Sequence, residues 1–217
     1  MKPIKNLEGK TVAIVGLGKS WFDYNLAKSH SNTFDEVWAI NAVASVIFHD
    51  RVFMMDPASR FLETDDAGGQ TNSMVKLLKE HEGPIYTCEL DERCPGLVEY
   101  PVAEVIQHAN CHYLNNTAAY AIAFALWNKV GSIQLFGLDF NYKGNLYFAE
   151  AGRACCEFWL AKCMEAGIQI GLSEDNILTP IKRSQLIQKE EKIEPKLFGR
   201  NDKSAMIKTK PVEPKKW

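Results

Sequence analysis

Apolar residues recur along this chain in short dense runs, each stopped by polar punctuation. Thr11 to Val15 is a β-branched run that ends in Gly16-Leu17-Gly18-Lys19-Ser20, which reads as a buried strand entering a tight turn. Glu36 to Ile40, Arg51 to Met55, Pro84 to Cys88, Ser132 to Phe136 and Ile168 to Ile170 are further runs of strand type. Between them the apolar spacing turns helical. Helices are predicted over Trp21 to Lys28, with Ser20 as N-cap, and over Thr71 to His81, Val102 to His108, Thr117 to Lys129 and Phe148 to Ala166, the last closed by Gly167. Glu89 to Pro101 carries Pro and Gly and reads as irregular. Strands that alternate with helices predict an α/β fold, a single Rossmann-like domain whose mainly parallel sheet has helices on both faces and the Thr11 strand near its centre.

Composition sharpens this picture in three ways. With 217 residues, 46% of them apolar, the chain is large enough for one domain with a sizeable core. That domain is placed at residues 1–180 and a tail at 181–217, where the sequence turns polar and basic, with a helix predicted near Gln185 to Lys192. From Lys182 onward there are eleven Lys and Arg against five Asp and Glu, so a tail of +6 is joined to a body of −8 in a chain of net charge −2. A basic tail on an acidic body is a candidate contact for DNA or another polyanion; a solvated terminus is the plainer account. The six cysteines, Cys88, Cys94, Cys111, Cys155, Cys156 and Cys163, contain no CxxC pair, which predicts a reduced, cytoplasmic protein without a zinc site. No apolar run reaches bilayer-spanning length, and no signal-type run follows Met1-Lys2-Pro3-Ile4-Lys5, so no membrane partner is expected.

Parallel sheets bind ligands beyond the carboxyl ends of their strands, so the polar residues there are the candidate site. Gly16, Gly18, Lys19 and Ser20 form a turn that can cradle phosphate, although Trp21 stands where a full GxGxxG motif needs glycine; an ordinary strand-to-helix turn also accounts for it. Asn41 ends a strand and can bond a base or sugar hydroxyl, or simply form a turn. Asp56, followed by Pro57, can hold a ribose hydroxyl or cap the next helix, and Asn115-Asn116-Thr117 can hold phosphate or act as an N-cap. The richest cluster is Gly137, Asp139, Phe140, Tyr142, Tyr147, Glu150 and Arg153, a polar and aromatic loop that packing alone does not explain. His49-Asp50-Arg51 reads as a polar strand entry or as a histidine oriented by Asp50. Phe158, Trp159 and Leu160 read as core.

The segments Gly16 to Ser20, Trp38 to Asn41, Phe53 to Pro57, Thr117 to Leu126 and Ile133 to Phe140 resemble phage-encoded proteins of unassigned role, across roughly residues 10 to 180. In the order of these motifs the chain is also similar to the family 42 sialyltransferases and to the archaeal pterin pyrophosphokinase-like domain. The sialyltransferase resemblance implies a glycosyltransferase-A-like variant of the fold and a CMP- or UDP-type nucleotide-sugar donor. It implies that the glycine turn and Asn41 hold the nucleotide, that Asn116 and Thr117 form a second nucleotide-contacting turn, and that Asp139 and Tyr142 face the sugar. Those transferases use a histidine base shortly before the helix that follows this loop. Here Phe148-Ala149-Glu150 occupies the stretch, which leaves Asp139 or Glu150 as base and Arg153, Tyr142 or Lys19 to offset leaving-group charge. The expectation is a nucleotide-sugar-dependent glycosyltransferase, with hydroxymethylated bases in DNA as the acceptor if the source is a phage. The alternatives are a phosphotransferase or pyrophosphokinase with Mg²⁺ at Asp56 and Asp139, and a non-catalytic nucleotide-binding protein. No oligomeric state follows from these patterns.

Overall fold

The computed structural model describes residues 1–31, 34–140 and 145–172. Tyr142, the tail, the helix predicted near Gln185 to Lys192 and the proposed boundary at 180/181 lie outside the described residues.

Seven strands form one sheet: β1 (Thr11–Val15), β2 (Glu36–Ile40), β3 (Arg51–Phe53), β4 (Ile85–Thr87), β5 (Leu97–Glu99), β6 (Ser132–Phe136) and β7 (Gln169–Leu172). Their order is β5-β4-β3-β2-β1-β6-β7 and every pairing is parallel. The all-parallel arrangement explains why β1 and β2 are apolar at successive positions instead of alternating: both faces of the sheet are covered. On one face Val12, Ile14, Trp38, Phe53, Ile133 and Leu135 pack against α4 (Val102–Ala109), α5 (Thr117–Trp127) and α6 (Leu146–Glu165). On the other, Ala13, Val15, Val37, Ala39, Val52 and Phe136 pack against α1 (Phe22–Ser31), α2 (Ala58–Leu62) and α3 (Thr71–Glu80). The expected Rossmann-like α/β domain is therefore what the chain builds.

Helix α5 is apolar around most of its circumference because it is sandwiched, with every residue but Thr117 and Tyr120 buried. Its alanines let it sit close to the sheet, while Phe124 makes edge-on contacts with Trp38 at 5.6 Å and Phe53 at 5.4 Å. Among the described residues no helix is long and apolar enough to cross a membrane.

Several local expectations change. The Glu89 to Pro101 stretch contains β5, a three-residue, half-exposed edge strand too short to show a pattern. The strand expected to run to Met55 stops at Phe53, and α2 follows Pro57 without a side-chain cap. Ser20 is not an N-cap: it sits inside a three-ten turn, Lys19–Trp21, that precedes α1. Helix α6 starts at Leu146, two residues early, because the Asn145 carboxamide accepts the Phe148 N–H at 3.1 Å. Trp159 and Leu160 are core, as expected, but Phe158 is exposed.

Candidate functional site

The sheet order reverses at β1, which has β2 on one side and β6 on the other, and in a parallel sheet the carboxyl ends beside such a switch point are where ligands bind. Gly16, Asn41, Asp56 and Asp139 all follow strands at this edge. Asn116 joins them because α5 runs down toward the start of β6 and therefore begins at the same end.

At the switch point the β1 and β6 loops cross backbone to backbone. Gly16 N–H donates to the Phe136 carbonyl and Gly18 N–H to the Gly137 carbonyl, both at 2.8 Å. A methyl group would stand 2.6 Å from the Gly137 oxygen at Gly16 and 2.6 Å from the Asp139 carboxyl carbon at Gly18, so close approach requires glycine at both, although the Gly18 backbone is extended with φ −61°. The carboxylate of Asp139 then closes the turn. It accepts the Ser20 N–H at 3.0 Å and the Ser20 hydroxyl, while Ser20 Oγ accepts the Gly137 N–H at 2.9 Å. Ser20 is 2% exposed and spends both of its donors on Asp139, whereas Lys19 is exposed on the turn.

The other predicted residues divide clearly. Asn116 caps α5 by accepting the Ala119 N–H at 3.1 Å, and its amide donates to the Gly152 carbonyl of α6 at 3.0 Å. Thr117 is the first residue of α5 and partly exposed. Asp56 pairs with Arg60 at 2.5 Å, and Arg60 also meets Asp66 at 3.0 Å. Asp56 and Asp139, the two carboxylates that the phosphotransferase alternative assigns to Mg²⁺, are thus each committed elsewhere. Among the described residues no three His, Cys, Asp or Glu side chains converge. Asn41 is different. Its backbone is left-handed, with φ 52°, and its buried carboxamide Oδ1 has no hydrogen-bond partner among the described residues.

No protein-family model matches the chain, and no curated protein matches it in a sequence search.

Helix α6 carries the charged part of the site. Arg153 is 5% exposed and lies between Glu150 at 2.7 Å and Glu157 at 3.6 Å. Burial pushes the Glu157 carboxyl up to about 7, against the lowering pull of Arg153 and with added repulsion from Glu150. Its Oε1 is buried and makes no hydrogen bond among the described residues. The contacts of Asn116 with Gly152 and Cys156 place this stretch of α6 level with the amino end of α5, and the Phe140 ring lies over Gly152. Sequence reasoning named Glu150 and Arg153 but missed Glu157. The signal was present as charges spaced three and four apart, at Glu150, Arg153 and Glu157. Cys88 directly follows β4 at the same edge of the sheet. Its thiol meets Met55 Sδ at 3.5 Å and the Tyr120 hydroxyl, and burial pushes Tyr120 up to about 12. His49 lies at the opposite end of the sheet, just before β3 begins.

Proposed function

We propose that this protein is a nucleotide-sugar-dependent glycosyltransferase that seats its donor at the carboxyl edge of the sheet. The observation that carries this reading is Asn41. A strained backbone and an unsatisfied buried acceptor coincide at a strand end beside the switch point, and such costs persist where a ligand uses them. A ribose hydroxyl or a base amino group would satisfy Asn41 Oδ1. Lys19 and the amino end of α5 supply positive potential for the diphosphate or monophosphate.

Asp139 is read as the brace of the glycine turn, which leaves α6 to supply the base. Glu157, with a proton affinity near neutral, is the better matched carboxylate and Glu150 the second. In the transfer, the acceptor oxygen gives its proton to that carboxylate and bonds to the anomeric carbon. The bond from that carbon to the phosphate oxygen breaks, and the nucleotide leaves with the electron pair. The basic tail supports a polyanionic acceptor such as DNA carrying hydroxymethylated bases.

The test is thermal shift with UDP-, CMP- and GDP-sugars against ATP plus Mg²⁺. The expected result is a concentration-dependent rise with one class of nucleotide-sugar, lost in Asn41→Ala. Glu157→Gln should keep that rise and lower turnover roughly a hundredfold. A response to ATP with Mg²⁺ alone would replace this reading with phosphoryl transfer, and no response to any nucleotide would end it.

A further inference from the structure

The amino edge of the sheet, opposite the candidate site, holds a pair of half-buried histidines that the proposed chemistry does not use. His49 stands in the connection from β2 to β3, and His81 is the C-cap of α3. Their Nε2 atoms are 2.9 Å apart, with the rings nearly parallel. The outer nitrogens decide which ring donates. The Gly83 N–H donates to His81 Nδ1 at 2.8 Å, so that nitrogen is a bare acceptor and His81 carries its proton on Nε2. His49 Nδ1 lies 3.0 Å from the Ile47 carbonyl, which can only accept, so His49 is protonated at Nδ1 and presents a lone pair at Nε2. The hydrogen bonds therefore run in one direction, from Gly83 N–H through His81 and His49 to the Ile47 carbonyl.

This chain exists only while both rings are neutral. A proton added to His49 Nε2 would face the His81 Nε2–H, and a proton added to His81 Nδ1 would face the Gly83 N–H. We propose that the His49–His81 pair is a proton-operated latch that ties the β2–β3 connection to the turn between α3 and β4 and opens when either ring is protonated. A metal site is the competing use of two facing histidines. It needs lone pairs on both Nε2 atoms, hence protons on both Nδ1 atoms, and the Gly83 N–H denies that to His81.

On the α3 side Glu82 pulls the His81 proton affinity up, but burial and His49 outweigh it, and the net direction is below the ordinary histidine value. Asp50, next to His49, spends its carboxylate on the Val37 N–H at 2.7 Å. Glu36 of β2 is bidentate on Arg51 of β3. Lys28 of α1 lies over Phe48 at 5.2 Å from the ring centre. Before β5, where the His81 turn meets the backbone of Gly96, the thiol of Cys94 is buried, and Asp91, Arg93 and Lys79 lie close enough to act on it.

The latch also has a route to the candidate site. The β2–β3 connection begins at Asn41, and its three-ten turn, Asn41–Ser45, packs on α3, the helix that His81 terminates. Opening the latch thus releases the far end of the segment whose near end holds the strained Asn41. This coupling rests on the donor-binding reading; the latch itself does not.

The test uses the full chain. Long-range proton–nitrogen correlation spectra at pH 7.5 should show His49 as the Nδ1–H tautomer and His81 as the Nε2–H tautomer. His81 is depressed in the folded state, so the unfolded chain takes up the proton first as pH falls below about 6.5, and stability declines from there until the folded ring protonates. Between pH 7.5 and 5 the wild-type Tm should fall about 3 °C further than that of His81→Gln, in keeping with the sensitivity of chains of this size. The reverse tautomers, or equal pH slopes in the wild type and His81→Gln, would overturn the latch. A rise in wild-type Tm with Zn²⁺ that His49→Gln lacks would replace it with a metal site.

Discussion

Replacing Asn41 with glycine tests the central claim most directly, because two independent costs are removed at once. The backbone at Asn41 has φ 52°, a region that glycine enters freely and asparagine enters with modest strain. The buried Oδ1 has no hydrogen-bond partner, and leaving a buried acceptor unpaired costs about 1–3 kcal/mol. Against these gains stands the extra chain entropy of glycine, about 0.5–1 kcal/mol. The balance is a stabilisation of about 1–2 kcal/mol, or a rise in Tm of about 3–6 °C for a domain of this size. Urea unfolding followed by circular dichroism measures the first quantity and calorimetry the second. The same variant should lose the nucleotide-sugar thermal shift, so that stability rises while binding falls. A destabilised Asn41→Gly would refute the reasoning, since the carboxamide would then be supporting the fold instead of waiting for a ligand.

Asp139→Ala should cost about 2–5 kcal/mol in urea unfolding, because the Ser20 N–H and hydroxyl both lose their acceptor in a closed turn; Asp139→Asn should recover part of that loss. Gly137→Ala should cost about 3 kcal/mol or more, since φ is 66° and the added methyl meets the Gly16 backbone; a neutral result would mean that the two loops do not cross as described. Glu157 holds a proton up to about pH 7 in the folded state but only to about 4.5 when unfolded, so its contribution to stability falls as pH rises through that window, by about 3 kcal/mol at most. Glu157→Gln should flatten that decline, measured as urea midpoints at pH 5 and pH 7.5.

The parallel sheet was legible because β1, β2 and β6 are long enough and apolar enough to announce burial on both faces. β5 was not, since three half-exposed residues between Pro and Gly carry no periodicity and are strand only by pairing with β4. That Gly16, Asn41, Asp56 and Asp139 share one edge of the sheet was legible, because in a parallel sheet chain direction alone decides which end is shared. What each residue does was not legible. Asp139 and Ser20 are 119 positions apart, and nothing local to Gly16–Ser20 reveals that a distant carboxylate fills the turn where phosphate was expected. Glu157 was passed over because its proton affinity is set by burial beside Arg153, a property of the packed helix and not of the charge pattern.

The crossing of the β1 and β6 loops also orders events during synthesis. Residues 11–99 contain β1 through β5, five neighbouring strands that can pair while the rest of the chain is still being made. The second flank of β1 and the Asp139–Ser20 brace both wait for β6. Closing contacts over such separations is slow compared with forming helices and neighbouring strands. The growing chain therefore carries an unpaired β1 edge for much of its synthesis, and a nascent-chain assay with stalled lengths should find that edge protected from exchange only after residue 139 has emerged.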